Sequence, residues 1–185
     1  MEAVANLIKW LIVAALVVLG IVLWINADLL YVYRTYYLQK SPSISLRYTD
    51  LSADMGESEI RKHFEGVGLH CINESKASNG LGDRVCYGSI ERADGLPALT
   101  LATFSNKGRL HHVLVQVPNW THGRWLQRFV GLHGKADRDG RVDMILGGPV
   151  LRWSLPNGKL NMSRERELNP MQWSTVLWVA AEVKS

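Results

Sequence analysis

The sequence predicts an α+β protein: an N-terminal transmembrane helix followed by an αβββαβββ domain with an antiparallel sheet packed by two helices. Three observations predict it. The stretch Trp10 to Ala27 (WLIVAALVVLGIVLWINA) carries no charge, and about 20 such residues cross a hydrocarbon core as one helix. Beyond it, a helix signal followed by strand signals occurs twice. Two links, Asn106-Lys107-Gly108 and Pro156-Asn157-Gly158, have the chemistry of hairpin turns. About 145 residues follow the anchor segment 1-40, enough for one domain with its own core. The net charge of +4 is modest and no basic block is interleaved with aromatics, so no nucleic-acid partner is expected.

The apolar run is flanked by amphipathic rings, Trp10 and Trp24 within it and Tyr31 and Tyr33 beyond it, which suit the two membrane interfaces. No A-x-A-like cleavage site follows, so the run reads as a retained span and not as a signal peptide. Lys9 precedes it and Arg34 and Lys40 follow. That count leans by one charge toward a cytoplasmic C-terminus, but large domains translocate regardless of nearby charge, and the cysteine count is even. The expected location is the inner (cytoplasmic) membrane, single-pass, with the C-terminal domain in the periplasm.

Residues 41-50 (SPSISLRYTD) read as a polar tether broken by Pro42. The domain, 51-185, then divides into pseudo-repeats of about 51-118 and 119-185. In the first, Leu51 to Glu65 is a short amphipathic helix with Ser52 or Asp54 as cap, Glu57 and Glu59 in its first turn, and Ile60 and Phe64 four apart. Strands follow at Arg84 to Glu91, Ala98 to Ser105 and Arg109 to Pro118. Alternation along the last places His111, Val113, Val115 and Val117 on the core face.

The second repeat opens with Asn119 or Thr121 capping a helix at His122 to Gly134, with Trp125, Phe129 and Leu132 at i, i+4 and i+7. Strands are expected at Pro149 to Leu155, Lys159 to Arg166 and Ser174 to Glu182. Three N-x-[ST] matches, at Asn73, Asn119 and Asn161, read as chance, since two fall at a helix cap and within a strand.

Cys71 and Cys86 are the only cysteines. In an oxidising compartment a loop of this length closes as a disulfide worth about 3 kcal/mol in the chain-entropy model. The competing readings are two unlinked thiols, or a zinc site drawing on His63 and His70, whose spacing matches no common metal site.

Leu51-Ser-Ala-Asp-Met55-Gly56-Glu-Ser-Glu-Ile60, ahead of a strand pair containing Phe104-Ser-Asn-Lys-Gly-Arg-Leu110, resembles the small SmpA/OmlA-type envelope lipoproteins. These are outer-membrane assembly domains with a G-M-[ST]-x-x-[EQ]-[VI] helix start and an F-x-x-G-x-L hairpin. In this chain Met55 precedes Gly56, and no lipidation cysteine stands near the apolar run. The doubled form is similar to the β-lactamase inhibitor protein architecture, in which two such units share one sheet. The resemblance implies a noncatalytic domain that binds other proteins through a sheet face.

The residues agree with a noncatalytic reading. His111 and His112 are adjacent on a strand and are expected to point to opposite faces. Gly88-Ser89-Ile90 lacks the second glycine of a nucleophile elbow, and Gly147-Gly148-Pro149 lacks the lysine of a phosphate cradle. No catalytic residue, metal, cofactor or small-molecule substrate is inferred. Candidate partner-binding residues are Arg152 and Trp153, Trp173 within Asn169-Pro170-Met171-Gln172-Trp173, and Arg164 and Arg166, because Trp and Arg dominate interface energy. The run Arg164-Glu165-Arg166-Glu167 also reads as edge-strand protection. The expected partners are the membrane and another membrane or envelope protein, with the domain acting as subunit or assembly factor of a membrane complex. Two alternatives are an inhibitor or immunity protein against an envelope-acting enzyme or toxin, and a membrane-anchored enzyme.

Overall fold

The N-terminal helix begins almost at the first residue: α1 (Glu2–Ile25) is long and apolar enough to cross a membrane. The computed structural model describes residues 2–73, 81–143, 145–166, 169 and 172–181, in two units, Met1–Gln39 and Lys40–Ser185. In the first, Asn26 joins α1 to α2 (Ala27–Leu38) without breaking the ladder. Its backbone N–H and its Nδ2 both donate to the Val22 carbonyl, and Leu30 N–H donates to the Asn26 carbonyl at 2.9 Å. Trp10, Trp24 and Tyr31 are exposed on these helices, and Tyr33 lies within α2.

The second unit is a mixed α+β domain. Its elements are β1 (Ser43–Ile44), α3 (Glu57–His63), β2 (His70–Asn73), β3 (Arg84–Ser89), β4 (Arg92–Ala93), β5 (Leu96–Pro97), β6 (Thr100–Asn106) and β7 (Arg109–Pro118), followed by α4 (His122–His133), β8 (Asp137–Asp143), β9 (Gly148–Leu155), β10 (Gly158–Ser163) and β11 (Trp173–Ala180). Eight strands form one antiparallel sheet in the order β2-β3-β6-β7-β11-β10-β9-β8. The halves α3-β2-β3-β6-β7 and α4-β8-β9-β10-β11 therefore enter the sheet from opposite edges, and their last strands meet at its centre.

Within this sheet the expected αβββαβββ order is one strand short in each half, and β1, β4 and β5 form a second, three-stranded sheet that it did not include. The missing strands, β2 and β8, are the two edges. The sequences HCIN and DRDGRVD lack an apolar phase because an edge strand is half solvated, and charge there discourages pairing with other chains. Arg164, Glu165 and Arg166 lie past the end of β10, an interior strand, so they protect no edge; Glu167 is outside the described residues.

The core lies between the sheet and both helices. Val113, Val115 and Val117 of β7, Val176 and Trp178 of β11, Leu160 and Met162 of β10 and Trp153 of β9 face Ile60 and Phe64 around α3 and Trp125 and Phe129 of α4, all nearly fully buried. Helix α3 is shorter than expected and starts after Gly56, whose N–H donates to Glu59 Oε2 at 2.9 Å. That is one half of a capping box, since glycine has no side chain to return the bond. Ser52 and Asp54 instead form the turn ahead of it.

Two further expectations change. Ser41 to Asp50 is no free tether: Leu46 and Tyr48 are buried, β1 pairs with β4, and Asn157 Nδ2 donates to the carbonyls of Tyr48 at 2.6 Å and Leu51 at 2.7 Å. In β7, Phe104 of β6 pairs with His112 and Ser105 with Leu110, so His111 is the extra residue of a bulge. The bulge turns Leu110 into the core and His111 out to solvent, and leaves the two histidine rings 6.1 Å apart. Strict alternation cannot anticipate that. At the preceding turn Lys107 and Gly108 both have positive φ, 53° and 74°, as a two-residue primed hairpin requires. Gly158 serves a different purpose: a Cβ there would collide with the Val179 carbonyl and the Trp178 ring.

Candidate functional site: the far face of the sheet

Each strand that buries one set of side chains under α3 and α4 turns the alternate set to the far face. There a row runs in register across six strands, Tyr87, Ala102, Leu114, Leu177, Asn161 and Arg152. Beside it runs Val85, Phe104, His112, Val179, Lys159 and Ser154. The half supplied by the first repeat is aromatic and apolar. Tyr87 is 41% exposed, His70 packs edge-on against it at 5.5 Å, and Phe104 lies edge-on to His112 at 6.5 Å. The half supplied by the second repeat is polar and cationic: Lys159 is exposed, and half-buried Arg152 donates from Nε to Asn161 Oδ1 at 3.0 Å. The middle of the strip is closed to solvent, with Leu177 0%, Asn161 3%, Val85 6% and Ala102 8% exposed, so what it offers a partner lies at its ends, Tyr87 with His70 at one and Lys159 with Ser154 at the other.

The predicted partner-binding residues do not assemble into one site. Arg152 belongs to the far face. Trp153 does not: it is 2% exposed, its Nε1 donates to the Gly134 carbonyl at 2.9 Å, and its ring lies 5.4 Å from Phe129. It is a core residue, because adjacent strand positions take opposite faces. Trp173 is half-buried at the start of β11 beside a polar cavity of about 320 Å³ that Glu165 and Gln172 also line. Arg164, Glu165 and Arg166 are exposed, with Arg164 Nη2 3.1 Å from Glu165 Oε1; Pro170 and Met171 are outside the described residues. Sequence reasoning missed Tyr87, Phe104, Leu114 and the exposed Trp120. A signal was there: VCYGS, TLATFS and VLVQV are apolar in both phases, the mark of strands with two occupied faces.

Two polar clusters sit on the helix side. His122 Nδ1 and Ser174 Oγ share a hydrogen bond of 2.9 Å, both groups buried. Burial, and then the charge of Arg166, push the His122 pKa down, so the ring is held neutral. The pair fastens the start of α4 to the start of β11. Glu57 is the second hub: Arg84 Nε donates to its Oε2 at 2.8 Å, and Arg61 donates to its Oε1 from Nε at 3.0 Å and Nη2 at 2.9 Å. Those bonds, Arg84's first, hold the carboxyl below its ordinary range. Cys71 and Cys86 stand opposite on β2 and β3 and are joined by a disulfide. Glu57 and the two sulfurs lie within 4.8 Å of one another, but the sulfurs are spent on each other and the carboxylate on two guanidiniums, so this group is no metal donor set. His63 Nε2 lies 3.0 Å from the Leu46 carbonyl, a structural contact. Asn119 and Asn161 are buried, which removes them as glycan acceptors.

No family model, curated protein or solved structure matches this chain.

Proposed function

We propose that the protein is a noncatalytic, single-pass protein of the inner (cytoplasmic) membrane whose periplasmic domain holds another envelope protein, as subunit or assembly factor of a membrane complex. The exposed ends of the far face carry this reading: Tyr87 with His70 at one end and Lys159 beside half-buried Arg152 at the other are accessible on one side of the sheet, and the hydrogen-bonded titratable groups His122 and Glu57 lie on the other side. The SmpA/OmlA-type plan, doubled as in the β-lactamase inhibitor protein architecture, is its template, and the repeated helix-and-strands unit is the feature in favour. An inhibitor or immunity protein would use the same face on a soluble enzyme or toxin. An enzyme would draw, among the described residues, on the buried His122–Ser174 pair.

A photo-crosslinking residue placed at Tyr87, with one at exposed Leu132 on α4 as control, tests this in intact cells. The expected result is a discrete membrane-protein adduct from position 87 and none from 132. Equal labelling from both positions, or none from either, rejects the face. A soluble enzyme in the adduct selects the inhibitor reading, and complete loss of function in a folded Ser174→Ala variant selects the enzyme.

A further inference from the structure

A domain of this size with an eight-stranded sheet and two packed helices buries enough apolar surface to fold without a crosslink. The surroundings of its disulfide are nevertheless specialised. Arg61 Nη2 lies 2.9 Å from Cys71 Sγ. The guanidinium is fixed there by its bonds to Glu57 and by Nη1, which donates to the Leu69 carbonyl at 2.9 Å. On the other sulfur, Cys86 is only 4% exposed, yet it forms part of the wall of a cavity of about 490 Å³ with Glu57, Asn73, Asp83 and Arg84. Cys86 thus lines a cavity, and the Cys71 sulfur faces a preset cation. Among the described residues the cavity's anions are Glu57, already shared between two arginines, and Asp83, which accepts the Lys107 N–H at 2.9 Å.

We propose that Cys71–Cys86 is a thiol–disulfide exchange site for a dithiol reductant. A thiolate of the dithiol enters the cavity and attacks Cys86 Sγ. The bond to Cys71 breaks, and its electron pair leaves on Cys71 Sγ as a thiolate facing Arg61. The second thiolate of the reductant then attacks its own sulfur in the mixed disulfide, closes the reductant's disulfide and releases Cys86, which takes up a proton. Two electrons pass from the dithiol to the protein. Of the reductant's two protons, one ends on Cys86 and the other in solvent. Arg61 acts by lowering the basicity of the leaving sulfur, which speeds departure and favours the reduced form.

The test uses the full chain in detergent, equilibrated with mixtures of reduced and oxidised dithiothreitol and read by thiol-blocking gel shift, with far-UV circular dichroism reporting the fold. Wild type is expected to reduce reversibly while keeping its spectrum. Arg61→Leu should lower the equilibrium constant for reduction about tenfold, equivalent to about 30 mV, whereas Arg61→Lys should stay near wild type. Glu57→Gln removes the negative charge that lies within 4.8 Å of both sulfurs, while the amide oxygen can still accept from Arg61 and the Leu69 carbonyl still holds its Nη1, so it should raise the constant. Opposite signs are the signature, because simple loosening of the fold would move both variants the same way. Equal constants, shifts of one sign, or reduction of wild type only after urea unfolds it would overturn the proposal. Should Arg61→Leu fail to fold, Glu57→Gln decides alone: an unchanged or lowered constant rejects the site.

Discussion

Neutral His122, hydrogen-bonded to Ser174 at 2.9 Å, gives the domain an acid-sensitive joint. Its pKa in the fold lies below the ordinary 6.5, so on acidification the unfolded chain takes up this proton first. The contribution is intact above the unfolded value and declines as pH falls through it toward the folded value. We therefore predict a lower urea midpoint at pH 5.5 than at pH 7.5, with a smaller drop in His122→Gln. Part of the drop should persist, because burial also lowers the pKa of His133. An identical pH slope in wild type and variant would remove His122 from the account. Sequence reading placed His122 at the head of a helix, which is correct, but Ser174 is fifty-two residues away and no local pattern joins them. The same distance effect hid the hub at Glu57, whose first-turn position was legible and whose partner Arg84 was not.

At the scale of elements, interior strands with an apolar phase were legible nearly to their ends: β7 is found as expected from Arg109 to Pro118. Edge strands were not, because β2 exposes His70, Ile72 and Asn73 and the β8 sequence DRDGRVD carries five charged residues with no apolar phase to read. Trp153 shows the cost of reading residue types without phase. It was expected as an exposed anchor, but Trp153→Ala should empty a core site and cost about 3–5 kcal/mol in urea titration. Arg164→Ala, at an exposed position, should change stability by no more than about 0.5 kcal/mol. Comparable losses in the two would contradict the assignment of faces. Asn157 was read as a turn residue, and it also holds the segment before α3 through two carbonyls. Asn157→Ala should cost about 1–3 kcal/mol and expose Arg47 to trypsin earlier than the hairpin between β6 and β7. Unchanged cleavage at Arg47 would mean that the buried Tyr48 and Leu46 hold this segment unaided.

For the whole molecule, α+β class, a long apolar N-terminal helix and a large antiparallel sheet were all visible in hydropathy and turn chemistry. The strand count and the order in the sheet were not, because they depend on pairings between halves. The proposed topology predicts that protease added to intact spheroplasts degrades Lys40–Ser185, and full protection would reverse the orientation. A second measurement concerns the span: exchange of the segment up to Lys40 for an unrelated single span should reduce capture of the far-face partner, if α1 and α2 also contact it. Undiminished capture would make the helix an anchor alone.

The meeting of β7 with β11 at the middle of the sheet has a consequence for the order of folding. Val115 and Val176 stand opposite each other although about sixty residues separate them in sequence, and such long-range pairings are slow because loop closure precedes any gain from contact. A chain emerging N-terminus first would complete β2, β3, β6 and β7 while one side of β7 still lacked its neighbour, presenting an unsatisfied apolar ladder until Trp173–Ala180 arrived. The central seam is then the last part to close, and a chaperone acting during synthesis or export would find its binding surface there, on a strand that the finished protein hides.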